Sequence, residues 1–258
     1  MSSVAVPHRR GMLAPMQLQD ILYSQGFGTR RVCCGLVQQG LVTVGTPAVL
    51  CTDPTEDFDP EGLAYTVQGQ PWQYQEHAYL MLHKPTGHEC SQKPSAWPSI
   101  YTLLPAPLRA RPSGAACGVQ AVGRLDQDTT GLLLLSDDGK FIHRLSSPKH
   151  HVPKVYLATC KHPITPVMVD KLLAGVVLDD DPKPVKAAAC RALDEHTLEL
   201  TLTEGKYHQV KRMVAAVSNR VEALHRSRIG TIDLPADLPP GGWRWLTPDE
   251  VASLIARQ

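Results

Sequence analysis

Apolar residues recur along this chain at two spacings, one helical and one alternating, and the two trade places from segment to segment. In "MQLQDILYSQGFG" Met16, Leu18, Ile21 and Leu22 fall on one helical face, and Gly26 and Gly28 end the run. Thr29 is placed to cap a second helix carrying Val32, Cys33, Leu36 and Val37, which stops at Gly40. "LVTV" predicts a short strand, "TDPTEDFDPEG" a turn-rich acidic loop and "VQGQPWQYQEHA" a linker. The pattern outlines a loose tail over residues 1–14, a small domain with its linker over 15–76, and a larger domain over 77–258.

The larger domain opens on the strand "AYLMLHK" and the turn "PTG", then a short helix in "SAWPSIYTLLP" and a loop from Pro105 to Gly118. "GKFIHRLSS" reads as a helix, "KVYLATCK" as an alternating strand, "PVMVDKLLAGV" as a helix and "TLELTLTEG" as a half-buried strand. "HQVKRMVAAVSN" turns Val210, Met213, Val214 and Val217 to one side of a helix. "RVEALHRSRIGTIDL" gives two more strands. Thr247, Pro248, Asp249 and Glu250 mark the start of a last helix in "TPDEVASLIA". Strands and helices in mixed order predict an α+β fold rather than a doubly wound parallel one.

Composition narrows the class. Of 258 residues 43% are apolar and 20% charged, as in a globular protein, and no apolar run approaches the roughly 20 residues that span a bilayer. The first residues lack the apolar core of a signal peptide. Seven cysteines, an odd number without CxxC spacing, argue against a disulfide framework or a zinc site and suit a reducing cytoplasm. The net charge of +1 hides segregation. Arg9, Arg10, Arg30 and Arg31 stand against Asp20 alone in residues 1–50; residues 51–78 hold six acids and no Lys or Arg. Residues 205–228 hold six bases against Glu222. Two basic zones suggest surfaces for a polyanion, though ordinary solvated charge accounts for the same count.

Three segments carry candidate chemistry. "AVGRLDQDTTGLLLLSDDG" sets Arg124, Asp126 and Asp128 on a polar turn against an apolar run. If Gly123 to Leu125 end a strand, Arg124 and Asp126 leave one face, and the guanidinium keeps the carboxylate ionised, the form that a nucleophile or base needs. A surface Arg–Asp pair at a turn explains the same residues. "DQDTT" also matches the D-x-D-x-T of haloacid-dehalogenase-type phosphatases, but there the motif follows a buried strand, and here the apolar run comes after it. "TEGKYHQVKRM" crowds Lys206, His208, Lys211 and Arg212 at a helix start, where cations oppose the macrodipole. An anion answers that crowding, either phosphate or a carboxylate such as Asp126; a basic solvated face is the plainer alternative. In "HRLSSPKHHVPKVYL" Lys154 and Tyr156 share a strand face, and a tyrosine there offers a surface for stacking a base.

Together "YLMLHKPTGHECS", "VGRLDQDTTGLLLLSDDG", "SPKHHVPKVYL", "EGKYHQVKRM" and "LHRSRIGTIDLPADLPPGGWRWLTPDE" resemble, in order and spacing, the RsuA-type pseudouridine synthases, over roughly residues 78–250. The resemblance implies a small S4-like RNA-binding domain followed by a catalytic domain on a mixed, largely antiparallel sheet flanked by helices. It implies that a uridine is flipped from RNA and isomerised with neither cofactor nor metal, in the cytoplasm, by a monomer. The family's G-R-L-D falls on Gly123 to Asp126, making Asp126 the nucleophile. Arg124 would fill the gap left by the flipped base and hold Asp126 ionised. Tyr156 would stack on the uracil and assist proton removal, and Lys211, where many relatives carry arginine, would pair with Asp126. Asp128 is left to shape or cap the turn. RNA contacts are expected at Arg30, Arg31, Lys84, Lys154, Lys206, His208, Gln209, Arg212, Arg226 and Arg228. Within the family the segments resemble the branch that acts on small-subunit (16S) ribosomal RNA, which implies that RNA, free or in a pre-ribosomal particle, as substrate and uridine 516 as target. A synthase acting on 23S RNA and a non-catalytic RNA-binding assembly factor are the alternatives.

Overall fold

The computed structural model describes residues 13–113, 116–179 and 181–256, and the chain divides into two compact units. The expected tail falls outside the described residues up to residue 12. One unit runs to His77 and also takes in Pro105–Val119; the other comprises Ala78–Leu104 and Gln120 onward.

In the first unit the helices Leu18–Ser24 and Arg30–Gln38 pack beside an antiparallel sheet ordered 49–51, 42–44, 64–67, 70–73. Thr29 caps the second helix by accepting from the Val32 amide, as its position predicts. Leu18, Ile21, Leu22, Cys33, Val37, Val42 and Val67 form the core. The expected linker is in fact a strand: Gln70–Gln73 pairs with Ala64–Val67. Gln68 and Gly69, at φ 50° and 77°, make the tight turn between them. The expected loop after Pro105 holds a short helix, Ala106–Ala110, and leads to a buried Arg111. That guanidinium donates to Gln25 Oε1 at 2.9 Å and to the carbonyls of Gln75 and Glu76, which ties the segment into this unit.

The second unit is built on a nine-stranded sheet. Its main path runs 189–192, 197–202, 154–160, 221–229, 130–136, 79–84, 243–245; the short strands 120–121 and 232–233 pair with 130–136 and 221–229. Every pairing is antiparallel except that of Thr130–Ser136 with Val221–Ile229, so the sheet is mixed. Leu132 to Leu135 are fully buried, so both faces of this strand are covered and it reads as a continuous apolar run. Leu132 and Leu134 meet Met81, Phe141, Leu145 and Leu254, the last from a helix whose Thr247–Glu250 capping box matches its sequence signal.

Candidate active site

The central strand fixes the site because of what precedes it. Residues 122–129 form a loop, not the strand end that the Arg124–Asp126 spacing suggested. Gly123 turns it with φ 72°. At Gly131, φ 110°, a Cβ would run into the Arg226 backbone, so only glycine lets the central strand lie against Val221–Ile229 there.

Lys84 holds this loop from beneath. It is fully buried at the end of strand Tyr79–Lys84. Its ammonium donates to the carbonyls of Thr129 at 2.8 Å, Pro85 at 3.0 Å and Gln127 at 3.2 Å, which uses all three donors. Burial pushes its pKa below the usual lysine value. Expected as an RNA contact, Lys84 is instead an internal brace for the Asp126 loop, because the Gly131↔Lys84 register places it under the sheet end.

The Asp126 carboxylate is held by two nitrogen-bearing side chains from the other basic segment. Lys211 Nζ lies 3.1 Å from Oδ2, and His208 Nε2 lies 3.2 Å from Oδ1. Lys211 comes from helix Gln209–Ala216. His208 is the N-cap of that helix and adopts left-handed backbone, φ 48°, a conformation that few side chains other than glycine tolerate. Asp128 is more than a turn former: its two oxygens lie 2.8 and 3.0 Å from Lys211 Nζ, closer than Asp126. Burial disfavours the charged Lys211, but hydrogen bonds to Asp128 and Asp126 outweigh it and raise its pKa. The Asp128 carboxyl is likewise lowered, Lys211 overcoming the opposing effect of burial. Arg124 is exposed at the cleft edge, and among the described residues no ion pair joins it to Asp126. The contact with Asp126 expected of Arg124 is therefore made by Lys211 and His208.

These groups open onto a cleft of about 750 Å³, a size that suits a nucleotide. Tyr156 is 9% exposed at its wall, directly across the sheet from Arg226 in the register of strands 154–160 and 221–229. Arg226 is another correction. Read as an RNA contact, it is 2% exposed and donates to the Leu132 carbonyl at 2.8 Å and the Tyr156 hydroxyl at 3.4 Å. Gln209 is buried as well: it donates to Glu204 and accepts from the Lys206 amide, bracing the loop before the helix rather than meeting RNA. Arg212 donates to the Tyr207 carbonyl, and exposed Arg228 pairs with Asp233. Lys154 and half-buried Lys206 line the cleft. In the other unit Arg31 is exposed, and exposed Arg30 pairs with Asp20.

Among the described residues no cluster of three or more His, Cys, Asp or Glu side chains is placed to hold a metal, and no helix is long and apolar enough to cross a membrane. The signals that sequence reasoning missed were His208 beside the carboxylate, Asp128 on Lys211, and the buried Lys84 and Arg226. For His208 a signal existed: it stands three residues before Lys211, within reach of one anion across a helix start.

The family model for RNA pseudouridylate synthase matches residues 78–216. The chain is 43% identical over 245 residues to the ribosomal small subunit pseudouridine synthase A of Pasteurella multocida, covering 92% of this chain and 99% of that protein. It is 44% identical over 177 residues to the protein of the same name from Escherichia coli K12, covering 69% of this chain and 74% of the other. A solved structure described as a pseudouridylate synthase superposes with a TM-score of 0.64 at 33% identity, covering 93% of this chain and all of that one.

Proposed function

The chain belongs to the RNA pseudouridylate synthase family, and from that membership we propose that it converts one uridine of small-subunit ribosomal RNA to pseudouridine, with Asp126 as nucleophile. The observation that carries this reading is the Asp126 carboxylate, held by Lys211 and His208 at the edge of a nucleotide-sized cleft that Tyr156 also lines. Similarity over 99% of the Pasteurella multocida protein and 74% of the Escherichia coli one, both named for the small subunit, supports the substrate, and uridine 516 is the position that we assign.

The flipped uridine enters the cleft, and Arg124 at its edge takes the place left in the RNA. In one route Asp126 adds to ribose C1′ as the N1–C1′ bond breaks, and the bonding electron pair stays with uracil. The ring turns, C5 bonds to C1′ and expels the carboxylate, C5 loses a proton and N1 gains one. In others Asp126 adds to C6 of the base or removes a ribose proton. Each route is a net isomerisation. Lys211 and His208 keep the carboxylate oriented for attack. Tyr156 stacks on the ring. The first unit, two helices on a four-stranded antiparallel sheet with Arg30 and Arg31 at a helix start, is read as an S4-like RNA-binding domain.

The test is complementation in a host lacking its own enzyme, with pseudouridine mapped across both ribosomal RNAs. Wild type restores the mark at uridine 516, and Asp126→Ala and Asp126→Asn leave none. Modification by Asp126→Ala removes the assigned nucleophile. A mark in large-subunit RNA alone changes the substrate, and none from wild type, with RNA binding kept, makes the chain a binder.

A further inference from the structure

Beneath the proposed uracil site lie two cations with no anion. Arg226 is buried, its Nε and Nη1 meet only the Leu132 carbonyl and the Tyr156 hydroxyl, and its Nη2 is buried without a hydrogen-bond partner. Its guanidinium carbon lies 5.9 Å from the Tyr156 ring centre. Lys154, two residues before Tyr156, shares its strand face and lines the same cleft, and its ammonium donates to the Val152 carbonyl at 3.1 Å. Among the described residues no carboxylate pairs with either side chain, and Asp126, which lines the same cleft, is already bound by Lys211 and His208. Burying positive charge without a partner costs several kcal/mol in general and is retained where it meets an incoming negative charge.

The chemistry names that charge. Whether Asp126 adds to ribose, adds to C6 or takes a ribose proton, negative charge develops on the pyrimidine: on O2 and O4 when the N1–C1′ bond breaks, and on O4 when C6 is attacked. We propose that Lys154 and Arg226 form an electropositive wall that stabilises this pyrimidine anion, Lys154 by direct contact and Arg226 as a positioning residue acting through Tyr156. The inference rests on the pseudouridine synthase reading but not on any one of its routes. Preorganised charge in a desolvated cleft is the kind of interaction that strengthens as the transition state forms.

Burial, together with the nearby Arg226, brings the Lys154 pKa down to about 8. Below that pH Lys154 is a cation and the wall is complete; above it the charge is lost, so turnover falls as pH rises through about 8. Arg226 and Tyr156 lie beside Lys154 on the sheet; Glu89, Cys90, Arg124, Asp126, Asp128, Glu204, Lys206, Tyr207, His208 and Lys211 line the same cleft, so Lys154→Arg is the variant that assigns the limb.

The experiment pairs binding with rate, on the full chain. Barbiturate, a planar pyrimidine that is anionic at neutral pH, and neutral uracil are titrated calorimetrically into wild type, Lys154→Met, Lys154→Arg and Arg226→Met. Single-turnover rates are then measured on a small-subunit RNA fragment across the pH range. Wild type should prefer barbiturate by roughly tenfold, as charge-assisted contacts do. Lys154→Met should lose that preference while keeping its uracil affinity, and Lys154→Arg should keep it and lose the fall above about pH 8. Arg226→Met should lower the rate with RNA affinity intact; should it fail to fold, the Lys154 pair decides. No barbiturate preference in wild type, or a Lys154→Met rate and pH profile like wild type's, overturns the wall. Absence of any pseudouridine from wild type overturns the enzymatic reading instead, and a Lys154-dependent preference for barbiturate still supports the anion site.

Discussion

Two helices in this chain carry adjacent basic residues near their starts, and the two pairs do opposite things. Arg30 and Arg31 open the helix Arg30–Gln38, and both are exposed. Arg30 spends itself locally, 2.9 Å from Asp20 and 4.2 Å over the Tyr23 ring. Lys211 and Arg212 stand in the first turn of Gln209–Ala216, and there the lysine is drawn onto Asp126 and Asp128 from a loop more than eighty residues away in sequence. Basic residues at a helix start are unfavourable for the helix in both places. In the first the cost is relieved by water and one surface acid; in the second it is repaid by two carboxylates that the fold delivers. A cluster of positive charge in a sequence therefore says that an anion is wanted, and tertiary contacts decide whether the anion is a solvent-side partner or the protein's own reactive group.

The sharpest way to break this contrast is to remove the internal cation. Lys211→Met leaves Asp126 and Asp128 without their shared counter-ion, and kcat on a small-subunit RNA fragment should fall by about a thousandfold, the scale for losing a preorganised charge at a reacting centre. Lys211→Arg should retain most of that activity, because the charge is kept even though the geometry changes. If Lys211→Met is no worse than the loss of Arg30, the two helices are equivalent after all. Next comes the brace beneath the loop. Lys84→Met removes the ammonium from the Pro85, Gln127 and Thr129 carbonyls, of which, among the described residues, only that of Gln127 keeps another donor, the Gly87 amide, and urea unfolding should register a loss of roughly 2–4 kcal/mol. An unchanged midpoint would mean that the loop holds its shape without Lys84.

How far the sequence reached follows the same line. Helices with explicit caps, Thr29 and Thr247, and strands with long apolar runs were legible because local signals and tertiary packing agree there. The hairpin at Gln68–Gly69 was not, because glutamine replaces the asparagine or aspartate that usually announces such a turn. Strand Asp181–Val185 was hidden by Pro182 and Pro184, which demote any strand reading. At the site the Asp126–Lys211 pair was legible through the family resemblance; the residues alone left phosphate, a carboxylate such as Asp126 or a solvated basic face open. The burial of Lys84, Gln209 and Arg226 was not legible. Residue type places such side chains at the surface. The cross-strand registers, Gly131↔Lys84 and Tyr156↔Arg226, turn two of them inward, and Gln209 is drawn in from its helix start by Glu204 and the Lys206 amide.

The smallest expected effect lies at the exposed pair, and it sharpens the contrast from the other side. Arg31 is exposed, and Arg30 is already engaged by Asp20, which raises its pKa. If Arg31 meets an RNA phosphate, Arg31→Ala should weaken binding only a few-fold and reduce the slope of log affinity against log salt by about one. Arg30→Ala should do less, because breaking its surface pair with Asp20 offsets part of the lost attraction. Neither change should alter the single-turnover rate on saturating RNA. Filter binding across a salt series, read beside that rate, separates the cases. A rate loss in Arg31→Ala equal to that of Lys211→Met would place both helices in the chemistry. A salt slope unchanged in both arginine variants would remove the first helix from the RNA surface and leave the second basic segment as the one region where charge and function meet.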